Sequence, residues 1–347
     1  MDPRSLIPAP DVLPAPVWTF DVLLLATFVL HVLAMNVLVG GSVIALVAHV
    51  RGRGLDVAQD LSRRLPTTLA LTINFGVAPL LFLQVLYGHL VYASSLLMAG
   101  FWLGMVFIVL AAYYALYLYD FRLASRGEGA RVWLWVALAL LLCAGFLFSN
   151  NMTLMLRLEA WPGLVAGQTG WALNLSDPTL IPRWLHFMTA ALAVGGLAVA
   201  LLGRRHRHED WVELGMLWFT RATLAQLAFG KWFLLSLPRP VMLAFMGDHV
   251  PATMLLLAGL AAAGLSLAAG FQKKPVPAAV LTVLTVALMA LVRDQVRALS
   301  LKPWFSLSEL QVATQVSPIV LFLATFAVGL IAVAWMLKAY ARAGRGV

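Results

Sequence analysis

Long apolar runs recur from one end of this sequence to the other, and each is long enough to cross a lipid bilayer as a helix. Hydrophobic residues make up 62% of the 347 residues and charged residues only 11%, whereas a soluble domain has about 25% charged residues. Because lipid offers the backbone no hydrogen bonds, such runs predict helices. We therefore predict an all-α polytopic membrane protein in contact with membrane lipid. The composition excludes nucleic acid as a partner, despite the net charge of +9.

The number of runs predicts about nine transmembrane helices. Their expected limits are 18–50, 67–92, 95–119, 132–155, 183–203, 211–237, 251–270, 276–297 and 316–337. They form one membrane domain, 18–347, preceded by an external N-terminal tail, 1–17, that is rich in proline and lacks the basic start of a signal peptide. Between the last two runs, Ser306–Glu309 has the form of a helix capping box. No sequence period marks an internal repeat.

Arginine and lysine are divided unevenly between the two sets of connecting segments. The segments that follow the first, third, fifth, seventh and ninth runs hold Arg51, Arg53, Arg63, Arg64, Arg122, Arg126, Arg131, Arg204, Arg205, Arg207, Lys273, Lys274, Lys338, Arg342 and Arg345. The opposite set holds Arg4, Arg157, Arg183, Arg239, Arg297 and Lys302. The positive-inside rule then places the N-terminus outside and the C-terminus inside, which an odd number of spans also requires. We expect the cytoplasmic (inner) membrane of a bacterium or an archaeon.

Two histidines lie inside apolar runs, His31 in the first and His186 in the fifth. An imidazole in hydrocarbon must be paired, line a polar cavity or bind a ligand, and a neutral imidazole is a common axial ligand of haem iron. A hydrogen bond between helices is an equal alternative for either histidine alone. Cys143 is the only cysteine, which excludes an iron–sulfur cluster held by cysteines and covalent attachment of a c-type haem.

An ordered set of short motifs resembles the larger subunit, subunit I, of the cytochrome bd quinol oxidases over most of the chain. The set comprises His31, Ile73-Asn74-Phe75, Gly76-Val77-Ala78, Tyr87-Gly88, Trp184-Leu185-His186-Phe187, Met254 and Lys302-Pro303-Trp304. Nine spans and an external N-terminus also fit that family. The resemblance implies a helical bundle like that of subunit I, in which His186 and Met254 are the axial ligands of a low-spin haem b. It further implies that His31 is a ligand of a second haem, so that the chain would bind one or two haem b groups.

The sequence departs from that family where the family reduces oxygen. The third run has none of the family's glutamates, and Ala298 and Leu301 stand near the places of a glutamate and an arginine in the eighth run. The long quinol-binding loop of the family is reduced to residues 237–250. We therefore expect that the oxygen-reducing site is lost and that the electron-transferring haem is retained.

Further polar residues near the external side are candidates for the same site. His89 is a candidate second ligand opposite His31, although a histidine at the membrane surface is the simpler interpretation. Haem propionates need cationic partners, and the candidates are Arg183, Arg239, Arg293, Arg297 and Lys302. Asp248 and His249, beside Arg239, form a candidate quinol site in which the carboxylate and the imidazole could accept the two protons of a quinol, with a solvated loop as the equal alternative.

These features favour a haem b subunit that moves electrons between a membrane quinol, of the menaquinone or ubiquinone type, and an external c-type cytochrome with one or several haems. It would be the cytochrome b subunit of a quinol-oxidising respiratory complex, with further membrane subunits as candidate partners. Two alternatives stay open: a divergent bd-type quinol:oxygen oxidoreductase with its oxygen site at His31, and a haem-free transporter or structural subunit. The lack of acids deep in the runs weighs against proton-coupled transport.

Overall fold

The computed structural model describes residues 2–125, 129–167 and 169–343. Its long helices are α1 (Val17–Arg51), α2 (Leu55–Leu97), α3 (Ala99–Ala124), α4 (Ala130–Leu156), α5 (Leu180–His206), α6 (Glu209–Ser236), α7 (Val250–Phe271), α8 (Pro275–Leu301) and α9 (Val316–Ala343). Two shorter helices, Trp161–Gly167 and Arg239–Leu243, lie in the connections after α4 and α6. Arg126 and Arg345, predicted to mark the inner side, lie outside the described residues, as do positions 344–347 of the predicted membrane domain.

Eight of the long helices are apolar enough to cross a membrane, so the described part of the chain is a polytopic helical membrane protein. The remaining long helix, α6, is of similar length but carries charged residues in both halves, including Arg221 and Lys231. Each predicted run corresponds to one long helix. The ninth span and the orientation in the membrane stay predictions.

The largest departure from the predicted limits is in α2, which begins at Leu55 rather than at 67. Its first turns are amphipathic, because Val57, Leu61 and Leu65 are buried at helical spacing between polar residues. The predicted limits missed this segment because they were drawn from consecutive apolar residues, and the buried residues of an amphipathic helix are not consecutive. Further along, α2 is kinked at Tyr87, where φ is −131°.

The N-terminal tail and the connection between α8 and α9 meet at one end of the bundle, called the tail side below. Leu13 and Val312 form an isolated β-bridge there. The predicted capping box is confirmed. The Ser306 side chain accepts a hydrogen bond from the backbone at the third position of the turn, and the Glu309 carboxylate accepts one from the backbone N–H of Ser306. Helices α1, α5 and α7 begin at the tail side, whereas α2, α6 and α8 end at it.

The α1–α2 and α5–α6 hairpins share a local arrangement. In α1 the pair Gly40–Gly41 follows His31 after nine and ten positions, and in α5 the pair Gly195–Gly196 follows His186 at the same spacing. Gly40 and Gly195 face each other, since a Cβ on Gly195 would come within 2.6 Å of the Gly40 backbone. Helices α1 and α5 therefore cross in backbone contact, as small residues allow in membranes. No repeat was predicted from the sequence because the two hairpins have only a few residues in common.

Candidate functional site

A cavity of about 430 Å³ lies between α1, α5, α6, α7 and α8, a size typical of cofactor and ligand sites. On α8 its wall extends from Thr282 to Val296, which is about 21 Å along a helix. Most of the wall is apolar. Its aromatic rings include those of Phe28, Phe187, Phe219 and Phe233, and aliphatic side chains such as Val286 complete it. Leu237 and Phe245, from the connection between α6 and α7, line its tail-side end.

His186 of α5 is on the cavity wall, with its ring held from behind by α6. Its Nδ1 lies 3.3 Å from the carbonyl oxygen of Gln226. One turn further along α6, a Cβ on Gly230 would lie only 3.0 Å from the Cε1 of His186, so glycine leaves the space that the ring occupies. To donate to a carbonyl, Nδ1 must carry the proton, and the lone pair of Nε2 stays available to a ligand. A hydrogen bond of this kind also orients histidines that bind metals.

His31 of α1 is held by α2 in the same way. Its Nδ1 lies 3.0 Å from the carbonyl oxygen of Thr72, and a Cβ on Gly76 would lie 2.8 Å from its Cε1. In both cases the accepting carbonyl and the glycine are four residues apart on the neighbouring helix. The difference is that His186 lines the cavity and His31 does not. The structure therefore contains two similar imidazole sites, of which one opens on a ligand-sized space.

Arg183, Arg293 and Lys231 bring positive charge to the tail-side half of the cavity wall. Arg183 is only 7% exposed, with its Cζ 4.9 Å from the centroid of the Phe233 ring. The Cζ of Arg293 lies 4.4 Å from the centroid of Phe28. Among the described residues, neither guanidinium forms an ion pair. Arg183 is buried and Arg293 half-buried, and cations of low exposure without carboxylate partners favour an anionic ligand.

At the other end of the cavity, two polar side chains lack hydrogen-bond partners within the described part of the chain. Asn36 is 1% exposed, and neither its amide nitrogen nor its oxygen is bonded. The hydroxyl of Thr282 is likewise buried and unbonded. Both line the cavity. Such groups bind ordered water or a polar atom of a ligand.

The structure does not bring Met254 to His186. The cavity wall on α7 is a stripe formed by Leu256, Leu260 and Ala263, and Met254 lies about 200° around the helix from Leu256. Its side chain is accordingly 60% exposed. The structure therefore does not place Met254 beside His186, and their pairing on one iron stays a prediction.

Met289 of α8 lines the cavity instead. Its methyl group lies over Gly259 of α7, where a Cβ would come within 2.5 Å of it. Met289 is four residues before Arg293, as His186 is three residues after Arg183. Helices α5 and α8 thus each present an arginine and, one turn further from the tail side, a residue that can ligate haem iron.

The structure does not bring His89 to His31 either. His31 contacts α2 at Gly76, and His89 is thirteen residues further along, or about 20 Å. His89 is buried, with its ring centroid 4.4 Å from that of Phe305. The two imidazoles are therefore too far apart to ligate one iron.

The other predicted site residues lie outside the cavity wall. Arg239, Asp248 and Lys302 are exposed at the tail side. His249 caps α7, because its Nδ1 accepts a hydrogen bond from the backbone N–H of Ala252 at 3.3 Å. A quinol site at Asp248, His249 and Arg239 stays a prediction.

Arg297, a further predicted propionate partner, is buried in a separate ionic cluster. It pairs with Asp294, and its Cζ lies 4.4 Å from the centroid of Tyr87. Asp21 of α1 has Asp294 and Arg297 as charged neighbours, and one of its oxygens is buried without a partner among the described residues. Sequence reasoning missed Asp21, because it is next to the predicted tail and its neighbours are apolar. Of the five candidate propionate partners, the structure brings Arg183 and Arg293 to the cavity.

The sequence matches no protein-family model and no curated protein. In the described ranges, no group of three or more His, Cys, Asp or Glu side chains is placed to hold a metal ion. A haem does not need such a group, because the porphyrin supplies four nitrogen ligands and the protein only one or two. The interpretation of the cavity therefore depends on the side chains that line it.

Proposed function

We propose that the chain is a haem b-binding membrane subunit that moves electrons between a membrane quinol and a c-type cytochrome at the tail side. The observation that carries this proposal is the environment of His186. Its Nδ1 bonds to the Gln226 carbonyl, its ring fills the space left by Gly230, and it lines the large apolar cavity. This arrangement would fix the tautomer and leave Nε2 available as a ligand, as is found in metal-binding histidines.

The side chains around the cavity fit a haem. His186 would ligate the iron through Nε2, and Met289 is the candidate ligand from the facing helix. Arg183 and Arg293 would pair with the two propionates, and their lack of carboxylate partners among the described residues explains why an anionic cofactor would stabilise the site. A bound haem supplies one-electron transfer, and a histidine–methionine pair leaves no open position for oxygen and raises the reduction potential.

One haem fits the chain better than two. The position in α1 that corresponds to Arg183, at the same spacing before the histidine, is Phe28. Residues 132–156 of α4 contain no charged side chain. Within the described ranges, the site at His31 thus lacks both a cavity and cations of its own for propionates. We propose that His31 joins α1 to α2 through the Thr72 carbonyl, and that the haem site is the one at His186.

A spectrum of the purified full chain tests the proposed function. We expect a b-type reduced-minus-oxidised difference signal and one protohaem per chain by pyridine haemochrome. Ubiquinol or menaquinol should reduce the haem, and an added c-type cytochrome should reoxidise it. A folded chain without haem would refute the proposal in favour of a transporter or structural subunit. A spectrum that changes with carbon monoxide would favour the oxidase alternative.

Replacement of the two cavity arginines should weaken haem binding. A hydrogen bond to a charged group contributes about 1.5–3 kcal/mol, so we expect Arg183→Gln and Arg293→Gln each to lower haem affinity about 10- to 100-fold. The measurement is the rate at which apomyoglobin extracts haem from each variant. Arg239→Gln is the matched control, because Arg239 is exposed and does not line the cavity. Equal losses in all three variants would show that net charge rather than propionate pairing holds the haem.

A further inference from the structure

A second groove, of about 360 Å³, lies between α1, α2 and α5 and shares no residue with the haem cavity. Gly41 and Gly195 line it next to the crossing of α1 and α5. Its sides are apolar and include Val37, Leu61 and Ala198. The groove faces the half of the bundle away from the tail side, since Arg205 at its end is one residue from the end of α5.

Two arginines line this groove, on different helices. The Arg64 guanidinium of α2 donates to Asp60 at 2.7 and 3.0 Å, so its charge is largely compensated. Arg205 of α5 is exposed and forms no ion pair within the described part of the chain. Its planar guanidinium offers several donors at a fixed geometry that matches a phosphate.

The dimensions of the groove suit one hydrocarbon chain with an anionic head. From Gly195 to Arg205 there are ten residues, or about 15 Å of helix, along which the wall is apolar. Where the wall meets the crossing of α1 and α5 it is formed by Gly41 and Gly195, which add no side chain to it. A soluble anion would not use the apolar length, and a neutral lipid would not use the positive charge of Arg205.

We propose that this groove binds an anionic phospholipid, with its phosphate on Arg205 and Arg64 and one acyl chain against Gly41 and Gly195. Basic pockets between transmembrane helices recognise anionic headgroups in this way. The bound chain would lie directly beside the contact between Gly40 and Gly195 and would stabilise the crossing of α1 and α5. This site is independent of the proposed haem function.

Native mass spectrometry of the delipidated full chain tests the proposal, with phosphatidylglycerol as the probe and phosphatidylcholine for comparison. We expect one phosphatidylglycerol to bind per chain in preference to phosphatidylcholine. Arg205→Gln should weaken that binding about five-fold, the effect of one basic residue near a membrane surface. Ala198→Phe should block it, because a phenyl ring would fill the groove. Arg204→Gln is the matched control, since Arg204 is the adjacent exposed cation and is not in the groove.

Each alternative outcome is distinct. Equal weakening by Arg204→Gln and Arg205→Gln would overturn the proposal in favour of diffuse surface charge. Equal binding of the two lipids would overturn the role of the arginines, and competition by millimolar inorganic phosphate would identify a soluble anion as the ligand. Arg205→Gln changes an exposed side chain and keeps the test valid if Ala198→Phe fails to fold.

Discussion

His186→Ala is expected to abolish haem binding, whereas His31→Ala leaves one haem per chain. Loss of a partner that only orients a metal ligand costs about 10- to 100-fold in affinity, and loss of the ligand itself costs at least as much. His186 lines the cavity with Arg183 and Arg293, while His31 is off the cavity wall. The measurement is pyridine haemochrome on both variants, purified as folded full-length chains.

The two variants are matched, because each removes a histidine bonded to a carbonyl of the neighbouring helix. Added imidazole should restore the b-type spectrum to His186→Ala, since the truncated side chain leaves room for a free ligand. If His186→Ala and His31→Ala each lose half of the haem bound by the unchanged chain, the chain has two sites and the single-haem proposal is refuted. Full haem in His186→Ala would remove the proposed site altogether.

The methionine substitutions separate the structure from the family resemblance. If Met289 is the second ligand, Met289→Leu should change the low-spin spectrum and lower the reduction potential, because a thioether ligand raises it. Met254→Leu should change neither, since Met254 is 60% exposed and off the cavity wall. An altered spectrum in Met254→Leu and an unchanged one in Met289→Leu would instead identify Met254 as the second ligand, as the family resemblance implies.

Much of the fold could be predicted because the bilayer leaves few choices. Each long apolar run corresponds to a helix, and the capping box at Ser306 forms as its spacing predicts. The exception is the start of α2, where helix formation depends on a buried stripe rather than on continuous hydrophobicity. Composition alone does not decide whether α6 crosses the membrane, because this helix carries charged residues and is not among the eight apolar helices.

The candidate site was less predictable, because it depends on the direction in which each helix faces. A run of apolar residues does not specify which side of α7 meets the cavity, and Met254 and Leu256 differ by two positions but point to opposite sides. For His89 the distance along the helix matters, because it shares α2 with Gly76 but lies about 20 Å from it. His186, Arg183 and Arg293 were singled out because each is costly in hydrocarbon, and the structure places all three on the wall of one cavity. The supporting role of Gly230 had only a weak signal, its position after His186, which nearly repeats that of Gly76 after His31.

Gly195→Ala is expected to destabilise the bundle, although alanine normally stabilises a helix relative to glycine. Its Cβ would come within 2.6 Å of the Gly40 backbone and 2.8 Å of the Gly41 nitrogen, so two helices rather than a flexible side chain would have to move. Overpacking of this kind costs about 1–3 kcal/mol, which exceeds the gain of about 1 kcal/mol in helix propensity. The measurement is the unfolding midpoint of the purified chain in detergent.

Gly264→Ala is the matched control, because Gly264 is also inside a long helix and an added methyl group there would meet no atom of the described residues within 4 Å. It gains the same helix propensity without a clash, so its midpoint should stay equal or rise. Opposite signs for these two exchanges would show that the α1–α5 crossing limits stability. Since His31 and His186 both lie nine residues before this crossing, Gly195→Ala should also release haem more readily than Gly264→Ala. Equal midpoints for the two variants would contradict close backbone contact between α1 and α5.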